Sequence, residues 1–268
     1  MSRLTRLLAP IVLAASLVAG PMALTASATD APPSRLDDIL TRGTLRVGTT
    51  GDYRPFTFLN KETGQFEGYD IDVANALGSM MGVKVEFVQT AWPKMTEDFK
   101  ADKFDIAMGG VSITIPRQKL GYFTDPIMRE GKTPIARCGD VEKFATIEEI
   151  NQPSTHVIVN PGGTNDAFAK ANFPKANVTV FPDNTKIFDE IAAGHADVMV
   201  TDSSETRYQQ KLHPGVLCAV HPDKPFDFAE KAYWLQRDVP LQQFVNEALH
   251  IMGATGKTQA IFAKYFGN

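Results

Sequence analysis

The strongest constraint on the fold is an alternation of predicted strands and helices that begins at Thr44 and starts again in the middle of the chain. Strand 44–50 is followed by helix 70–82, whose apolar residues recur at helical spacing, and then by the alternating strand 84–88. Strands joined through helices make right-handed crossovers, so the sheet is mostly parallel and covered by helices on both faces. The predicted class is therefore α/β.

A second series of strands and helices predicts a second sheet, after which the chain returns to the first. A length of 268 residues with 43% hydrophobic side chains is enough for two modest lobes. We expect one lobe to contain residues 35–130 and 226–268, and the other to contain residues 131–225. The elements of the second series and of the returning segment are predicted at 147–150, 157–160, 165–172, 178–181, 185–193, 197–201, 232–235, 240–252 and 257–265.

The N-terminus has the three parts of a secretory signal peptide. Arg3 and Arg6 precede an apolar stretch over 7–24, and an Ala-x-Ala sequence ends at Ala28. The alternative is a transmembrane anchor, but proline and glycine interrupt the apolar stretch. We expect residues 1–28 to be cleaved, leaving a periplasmic protein with no membrane attachment.

The two cysteines, Cys138 and Cys218, both lie in the mature part of the chain. An oxidising compartment favours a disulfide between them. The competing interpretation is a metal site, because His213 and His221 lie close to Cys218 in the sequence. The spacing matches no strong zinc pattern, so we predict the disulfide and no metal.

Charge and motifs exclude several classes of function. The formal net charge is −4, and without residues 1–28 the count is 25 basic against 31 acidic side chains. No basic stripe is present to bind nucleic acid. The sequence also lacks dinucleotide-binding, P-loop, metalloprotease and nucleophile-elbow motifs, so no cofactor is expected.

A first candidate binding segment follows the predicted buried strand 104–108. Gly110 and Ser112 stand just after the strand and Arg117 follows them. Small and hydroxyl residues at the carboxyl end of a strand suit a ligand in the crevice of an α/β sheet. The guanidinium of Arg117 could hold a carboxylate with two parallel hydrogen bonds, although a solvated surface arginine fits the sequence equally well.

A second candidate segment runs from Asn160 to Asp166 and places Gly162 and Gly163 between a strand and a helix. Free amide groups and the positive end of the helix dipole make this position suitable for an anion. The simpler interpretation is helix capping by Thr164 or Asn165.

A third candidate is Asp202, which ends a predicted strand. Its carboxylate could pair with an ammonium group or cap the following helix. Four aromatic side chains are expected either to line the pocket or to belong to the core. They are Tyr53, Phe56, Tyr69 and Trp92.

The order of several segments resembles the polar amino-acid type of periplasmic solute-binding protein over nearly the whole mature chain. Other segments resemble more narrowly the periplasmic cyclohexadienyl dehydratases, which convert prephenate to phenylpyruvate and L-arogenate to L-phenylalanine on this scaffold. The segments that carry the first resemblance lie at 45–50, 68–72, 104–107, 112–117, 122–124 and 162–165. Those that carry the second lie at 49–56, 92–93, 131–135, 159–165 and 225–233.

The resemblance implies roles for the candidate residues. Arg117, with Ser112, Gly110 and Thr164, would hold a substrate carboxylate, and Asp202 falls where amino-acid-binding relatives place the acid that meets the α-ammonium. The other implied substrate-binding residues are Asn165, Tyr53, Trp92 and Lys132.

The implied general acid is Asp166, which would protonate the departing hydroxyl. The dehydratases are expected to carry a glutamate at this place, so the carboxyl of Asp166 has a shorter reach. The alternative function is a non-catalytic amino-acid-binding protein of an ABC transporter. The sequence does not reveal the oligomeric state. Assembly into a homo-oligomer could hold the cleft shut.

Overall fold

The computed structural model describes residues 34–267, so the predicted signal peptide lies outside the described residues. Within this range no helix is both long enough and apolar enough to cross a membrane. The helices are α1 (Arg35–Arg42), α2 (Tyr69–Met81), α3 (Met95–Lys100), α4 (Ile115–Gln118), α5 (Ile147–Ile150), α6 (Gly163–Asn172), α7 (Ile187–Ala192), α8 (Ser203–Leu212), α9 (Val239–Ala254) and α10 (Lys257–Phe266).

The strands are mostly short. They are β1 (Thr44–Thr49), β2 (Asp52–Tyr53), β3 (Thr57–Leu59), β4 (Phe66–Glu67), β5 (Lys84–Gln89), β6 (Ile106–Ala107), β7 (Tyr122–Phe123), β8 (Met128–Glu130), β9 (Lys132–Arg137), β10 (His156–Val159), β11 (Asn177–Val180), β12 (Val198–Asp202), β13 (Leu217–Ala219), β14 (Ala229–Lys231) and β15 (Trp234–Leu235).

Two five-stranded sheets organise the molecule, one in each lobe. The first has the order β5-β1-β6-β15-β7 and the second the order β11-β10-β12-β9-β13. In each sheet a single strand, β15 or β9, runs antiparallel to both of its neighbours, and the other four share one direction. The predicted α/β class with mostly parallel sheets is therefore confirmed.

Helix α2 illustrates how the sequence builds the first lobe. Most of its apolar side chains, among them Val73 and Leu77, are buried in the core that also contains β1. Gly82 ends the helix because it adopts the left-handed conformation, with φ of +70°, and its amide donates to the last turn. Burial of this face supplies most of the stabilisation that a helix of this length needs.

The sequence did not predict every element. Among the elements that were not predicted are strand β9 and helix α8. Both carry buried polar residues, which break the apolar patterns on which the prediction rests.

The two lobes are joined by an antiparallel ribbon formed by β8 and β14. Its register pairs Glu130 with Ala229 and Met128 with Lys231. Glu130 ends β8, and Lys132 begins β9 after the single residue Gly131. The ribbon therefore brings Glu130, Lys132 and Lys231 to the same end of the cleft. The lobe boundaries at residues 130 and 226 stay a prediction.

The predicted disulfide between Cys138 and Cys218 is confirmed. It links the end of β9 to β13, where Cys218 pairs with Ala136 across the sheet. Because the bond consumes the Cys218 thiolate, the alternative metal site with His213 and His221 is wrong. In the described part of the chain no three His, Cys, Asp or Glu side chains are grouped as metal ligands.

Candidate functional site

A small cavity lies between the lobes, at the carboxyl ends of strands from both sheets. Its volume is about 20 Å³, which is room for about one water molecule. The position is the one at which open α/β sheets bind ligands. The residues that line it are Tyr53, Trp92, Gly110, Ser112, Asn160, Gly163, Thr164, Asn165, Asn184, Asp202 and Lys231.

Seven of the predicted site residues line this cavity, and three do not. The seven are Tyr53, Trp92, Gly110, Ser112, Thr164, Asn165 and Asp202. The remaining three, Arg117, Lys132 and Asp166, lie directly behind the lining or next to it in sequence.

The centre of the site is a buried ion cluster in which two lysines hold Asp202. The Nζ of Lys132 donates to Oδ1 at 2.6 Å, and the Nζ of Lys231 donates to Oδ2. All three side chains are no more than 3% exposed. Burial raises the pKa of the Asp202 carboxyl, but the two ammonium groups outweigh it and hold that pKa well below its usual range.

Asp202 was predicted either to pair with an ammonium group or to cap the helix that follows. It stands at the N-cap of α8, but its side chain makes no capping hydrogen bond. Instead Tyr53 Oη donates to Oδ2 beside Lys231. The ammonium partners of Asp202 in this structure are therefore the protein's own lysines.

Lys132 connects the ion cluster to the start of α6. Its Nζ donates to Thr164 Oγ1 at 2.9 Å and also to Asn165 Oδ1. The Nδ2 of Asn165 in turn donates to Thr201 Oγ1, which donates to Glu205 Oε2 at 2.6 Å. The network thus runs without a break from the cleft into the interior of the second lobe.

The glycine pair that starts α6 corrects one prediction. Helix α6 begins at Gly163 with Gly162 at its N-cap, so neither Thr164 nor Asn165 is the cap, and both point their side chains to Lys132. Gly162 and Gly163 both have φ near +70°, a conformation that side chains disfavour, and this frees Thr164 and Asn165 to face the cleft.

Gly110 lines the cavity, but its amide is not free. Asp70 accepts hydrogen bonds from the amides of Gly109 and Gly110, at 2.9 and 2.6 Å, and from Tyr233 Oη. Burial raises the pKa of Asp70 to about 6. Asp70 therefore fixes the turn that presents Ser112.

Arg117 lies in α4, immediately behind the cavity wall. Its side chain is buried, and Nη1 donates to the carbonyl of Ser112 at 2.9 Å. Within residues 34–267 no carboxylate oxygen lies within 4.0 Å of its guanidinium. Burial lowers the pKa of Arg117 to about 10. A buried guanidinium without a carboxylate partner is suited to bind an anion from the cleft.

Asp166 lies in the first turn of α6, one residue after Asn165. Its Oδ2 accepts from the amide of Gly162 at 3.2 Å and from Lys170 Nζ at 2.8 Å. Its Oδ1 is buried and has no hydrogen-bond partner among the residues described. The carboxyl therefore has one oxygen free beside the glycine turn.

The four aromatic candidates divide between the pocket and the core. Tyr53 and Trp92 line the cavity and meet edge to face, with ring centroids 5.6 Å apart. Trp92 Nε1 also donates to Asp52. Phe56 and Tyr69 are buried in the core of the first lobe and support Tyr53 from behind.

Sequence reasoning missed Lys231, Glu130 and Glu205. Lys231 sits just before the apolar residues 232–235, and a lone lysine in such a position is the signal that could have found it. Glu130 lies 3.4 Å from the Lys231 ammonium and accepts from the amide of Ser204. Glu205 carried no sequence signal, because its role depends on burial beneath Thr201.

Comparison with known proteins gives a consistent result. The chain matches the model of the bacterial extracellular solute-binding proteins, family 3, over residues 45–268. It is 51% identical to a cyclohexadienyl dehydratase from Pseudomonas aeruginosa, over 88% of this chain and 87% of that protein. It is 25% identical to the L-cystine-binding protein TcyJ of Escherichia coli K12, over 96% of this chain and 93% of that protein.

Among solved structures the chain is likewise similar to an amino acid-binding protein and to a cyclohexadienyl dehydratase. An ancestral amino acid-binding protein, described as a precursor of cyclohexadienyl dehydratase, matches with a TM-score of 0.79 and 39% identity, over 87% of this chain and all of the other. An ancestral cyclohexadienyl dehydratase matches with a TM-score of 0.56 and 49% identity, over 89% of this chain and 98% of the other.

These similarities confirm the predicted family and its two-lobed α/β fold, and they cover the described lobes almost completely. The segments on which the resemblance was based include the glycine turn before α6 and the residues that surround Lys231. The chain belongs to the family 3 bacterial extracellular solute-binding proteins.

Proposed function

We propose that this chain is a cyclohexadienyl dehydratase, a carbon–oxygen lyase that converts prephenate to phenylpyruvate and L-arogenate to L-phenylalanine. The observation that carries the proposal is the 51% identity to a cyclohexadienyl dehydratase over 88% of the chain. The cleft supports it, because three cationic side chains, Arg117, Lys132 and Lys231, converge on a region that a small dicarboxylate would occupy.

The reaction requires one proton and no cofactor. In prephenate the bond between the ring and its carboxylate breaks, and the electron pair enters the ring as CO2 leaves. The carbon–oxygen bond on the opposite side of the ring breaks, and the hydroxyl departs as water after it receives a proton from an acid. Prephenate and one proton thus give phenylpyruvate, carbon dioxide and water.

The side chain carboxylate of the substrate would lie on Arg117, with Ser112 and Thr164 as hydroxyl donors. Arg117 holds one hydrogen bond to the Ser112 carbonyl, so the rest of its planar fork is available for a bidentate contact. Tyr53 and Trp92 would enclose the ring, and Asn165 and Lys132 would act from the start of α6.

Asp166 would act as the general acid. It lies in the first turn of α6 with its free Oδ1 oxygen beside the glycine turn, and Lys170 holds the other oxygen. Its carboxyl is shorter than the glutamate expected in the dehydratases, so the lobes must close about 1 Å more tightly on the substrate. Exclusion of water from the closed cleft favours the proton transfer.

Turnover of prephenate tests the proposal. Purified protein is incubated with prephenate, and the absorbance of phenylpyruvate is followed. We expect multiple turnovers; absence of turnover, together with tight reversible binding of an amino acid, would overturn the proposal.

Variants at Asp166 test the assignment of the acid. Asp166→Ala should lower kcat roughly 100-fold or more, which is the usual contribution of a general acid. Asp166→Glu should retain activity, and Asp38→Ala, at an exposed aspartate of α1, is the matched control. Full activity of Asp166→Ala would mean that another group supplies the proton.

A second candidate function is binding of an amino acid for transport. It is favoured by the relatives that bind amino acids, such as the histidine-binding periplasmic protein of Escherichia coli, which is 25% identical. Calorimetric titration with L-histidine, L-cystine and L-arginine tests it, because a transport protein of this kind should bind its amino acid tightly without changing it.

The protein is expected to work in the periplasm, after cleavage of the signal peptide behind Ala28. Family 3 relatives with periplasmic names support this location. Mass spectrometry of the protein from a periplasmic extract should find Thr29 at the N-terminus, and an intact Met1 in that fraction would contradict the cleavage. Light scattering of the same material would establish whether it is a homo-oligomer.

A further inference from the structure

We propose that Lys231 makes the cleft selective for 2-oxo acids over the corresponding α-amino acids, so that prephenate is preferred to L-arogenate. The inference rests on the proposed function and concerns the substrate class of the same site. The two substrates share the ring, the hydroxyl and both carboxylates. They differ at one carbon, which carries an oxo group in prephenate and an ammonium group in L-arogenate.

The first step is that the protein's own donors already hold both carboxylate oxygens of Asp202. Among the described residues that line the cavity, Asp202 carries the only carboxylate. Its Oδ1 accepts from Lys132, and its Oδ2 accepts from both Lys231 and Tyr53. An incoming ammonium would have to compete with these donors for the carboxylate, and a displaced lysine would be a buried charge without its partner.

The second step is that Lys231 is the cation that faces the ligand. It lines the cavity, whereas Lys132 does not and donates to Thr164 and Asn165 of the wall. Lys231 Nζ donates to Ser112 Oγ at 3.0 Å, a contact that an oxo or carboxylate oxygen of a ligand can replace. An α-ammonium at the same place would meet a like charge in a site shielded from water.

The third step is the charge balance of the site. The cations Arg117, Lys132 and Lys231 lie in or beside the cavity wall. They attract prephenate, which carries two negative charges, more strongly than L-arogenate, whose net charge is minus one.

Comparison of the two substrates on the wild-type protein tests the preference. We expect kcat/KM for prephenate to exceed that for L-arogenate by about 10-fold or more, since like-charge contacts across a binding site are strongly unfavourable. Equal values, or a preference for L-arogenate, would overturn the inference and leave the proposed function intact.

Binding of the two products separates this inference from catalysis. Phenylpyruvate and L-phenylalanine differ at the same carbon, and calorimetry on the wild-type protein should show phenylpyruvate bound about 10-fold more tightly or better. If neither substrate is turned over but phenylpyruvate is preferred, the proposed function falls and the selectivity stands. Tighter binding of L-phenylalanine would overturn the selectivity.

Lys231→Met tests the residue itself. It removes the cation and one of the two donors to Asp202 Oδ2, so the ratio of kcat/KM for prephenate to that for L-arogenate should fall about 10-fold or more. Lys175→Met, at an exposed lysine, is the control and should keep the wild-type ratio. An unchanged ratio in folded Lys231→Met would overturn the role of Lys231; if this variant does not fold, the product titrations on the wild type decide.

Discussion

Replacing Glu205 by Gln should remove a pH dependence of stability that the wild-type protein carries near neutral pH. Glu205 is 1% exposed and accepts a hydrogen bond from Thr201 Oγ1 at 2.6 Å. Burial raises the pKa of its carboxyl from 4.5 to about 8, and the charge of Asp202 adds to this effect. Glutamine has the shape of the protonated acid and keeps an oxygen to accept from Thr201.

The direction in which stability changes with pH follows from the protons that the folded and unfolded states bind. Between pH 4.5 and about 8 the folded protein holds a proton on Glu205 that the unfolded chain has released. The stabilisation from this group is complete below pH 4.5 and is lost as the pH rises through about 8. Within that range the free energy of unfolding falls by about 1.4 kcal/mol for each pH unit, so the total loss is at most about 5 kcal/mol.

Urea unfolding followed by circular dichroism, at several values between pH 5 and pH 9, measures the effect. The free energy of unfolding of Glu205→Gln, relative to wild type, should increase by about 1.4 kcal/mol per pH unit and level off above about pH 8. Glu247→Gln, at an exposed glutamate, controls for the loss of one carboxylate. A relative stability of Glu205→Gln that is flat from pH 5 to pH 9 would refute the reasoning.

Three further variants test other parts of the structure. Arg117→Lys should raise KM for prephenate about 10-fold or more in steady-state kinetics, because lysine lacks the planar fork; an unchanged KM would mean that Arg117 does not bind substrate. Replacing both Cys138 and Cys218 by serine should cost about 4 kcal/mol in urea unfolding, since their disulfide spans 80 residues; a cost below 1 kcal/mol would refute this. Gly110→Ala should lower Tm by several degrees in a thermal melt, because Gly110 has φ of +72° and a Cβ would come within 2.4 Å of the Tyr53 ring; an unchanged Tm would contradict this.

The regular parts of the fold were predictable because their patterns are local. The apolar residues of α2 recur with the helical period, and β1 and β10 are short buried runs followed by turn residues. The position of the cleft residues was also predictable, since Asp202 ends a strand and Ser112 and Thr164 each lie five residues beyond one.

The chemistry of the site was less predictable, because it depends on contacts between distant segments. Lys231 reaches Asp202 across 29 positions, and Tyr53 reaches it across 149. The ribbon of β8 and β14 that places Lys231 in the cleft has only three residues in each strand, too few for a clear alternation. The neutralisation of Asp202 by two lysines could therefore be seen only in the folded structure.

Closure of the cleft connects the ion cluster to function. The cavity of about 20 Å³ holds no molecule as large as prephenate, so the lobes must move apart for substrate to enter. Several contacts that hold the lobes together would then break, among them Tyr53 to Asp202 and the bond from Asn184 Nδ2 to the carbonyl of Asp52. A dianion bound to Arg117 and Lys231 would replace some of these broken contacts and would favour the closed arrangement of the lobes.

The most direct test of the account is a crystal structure of the protein with phenylpyruvate bound. The account predicts the ligand in the cleft between the lobes, with its carboxylate on Arg117 in a two-pronged contact and its oxo group directed to Lys231. An empty cleft at saturating ligand, or a ligand bound with Arg117 turned away into solvent, would contradict it.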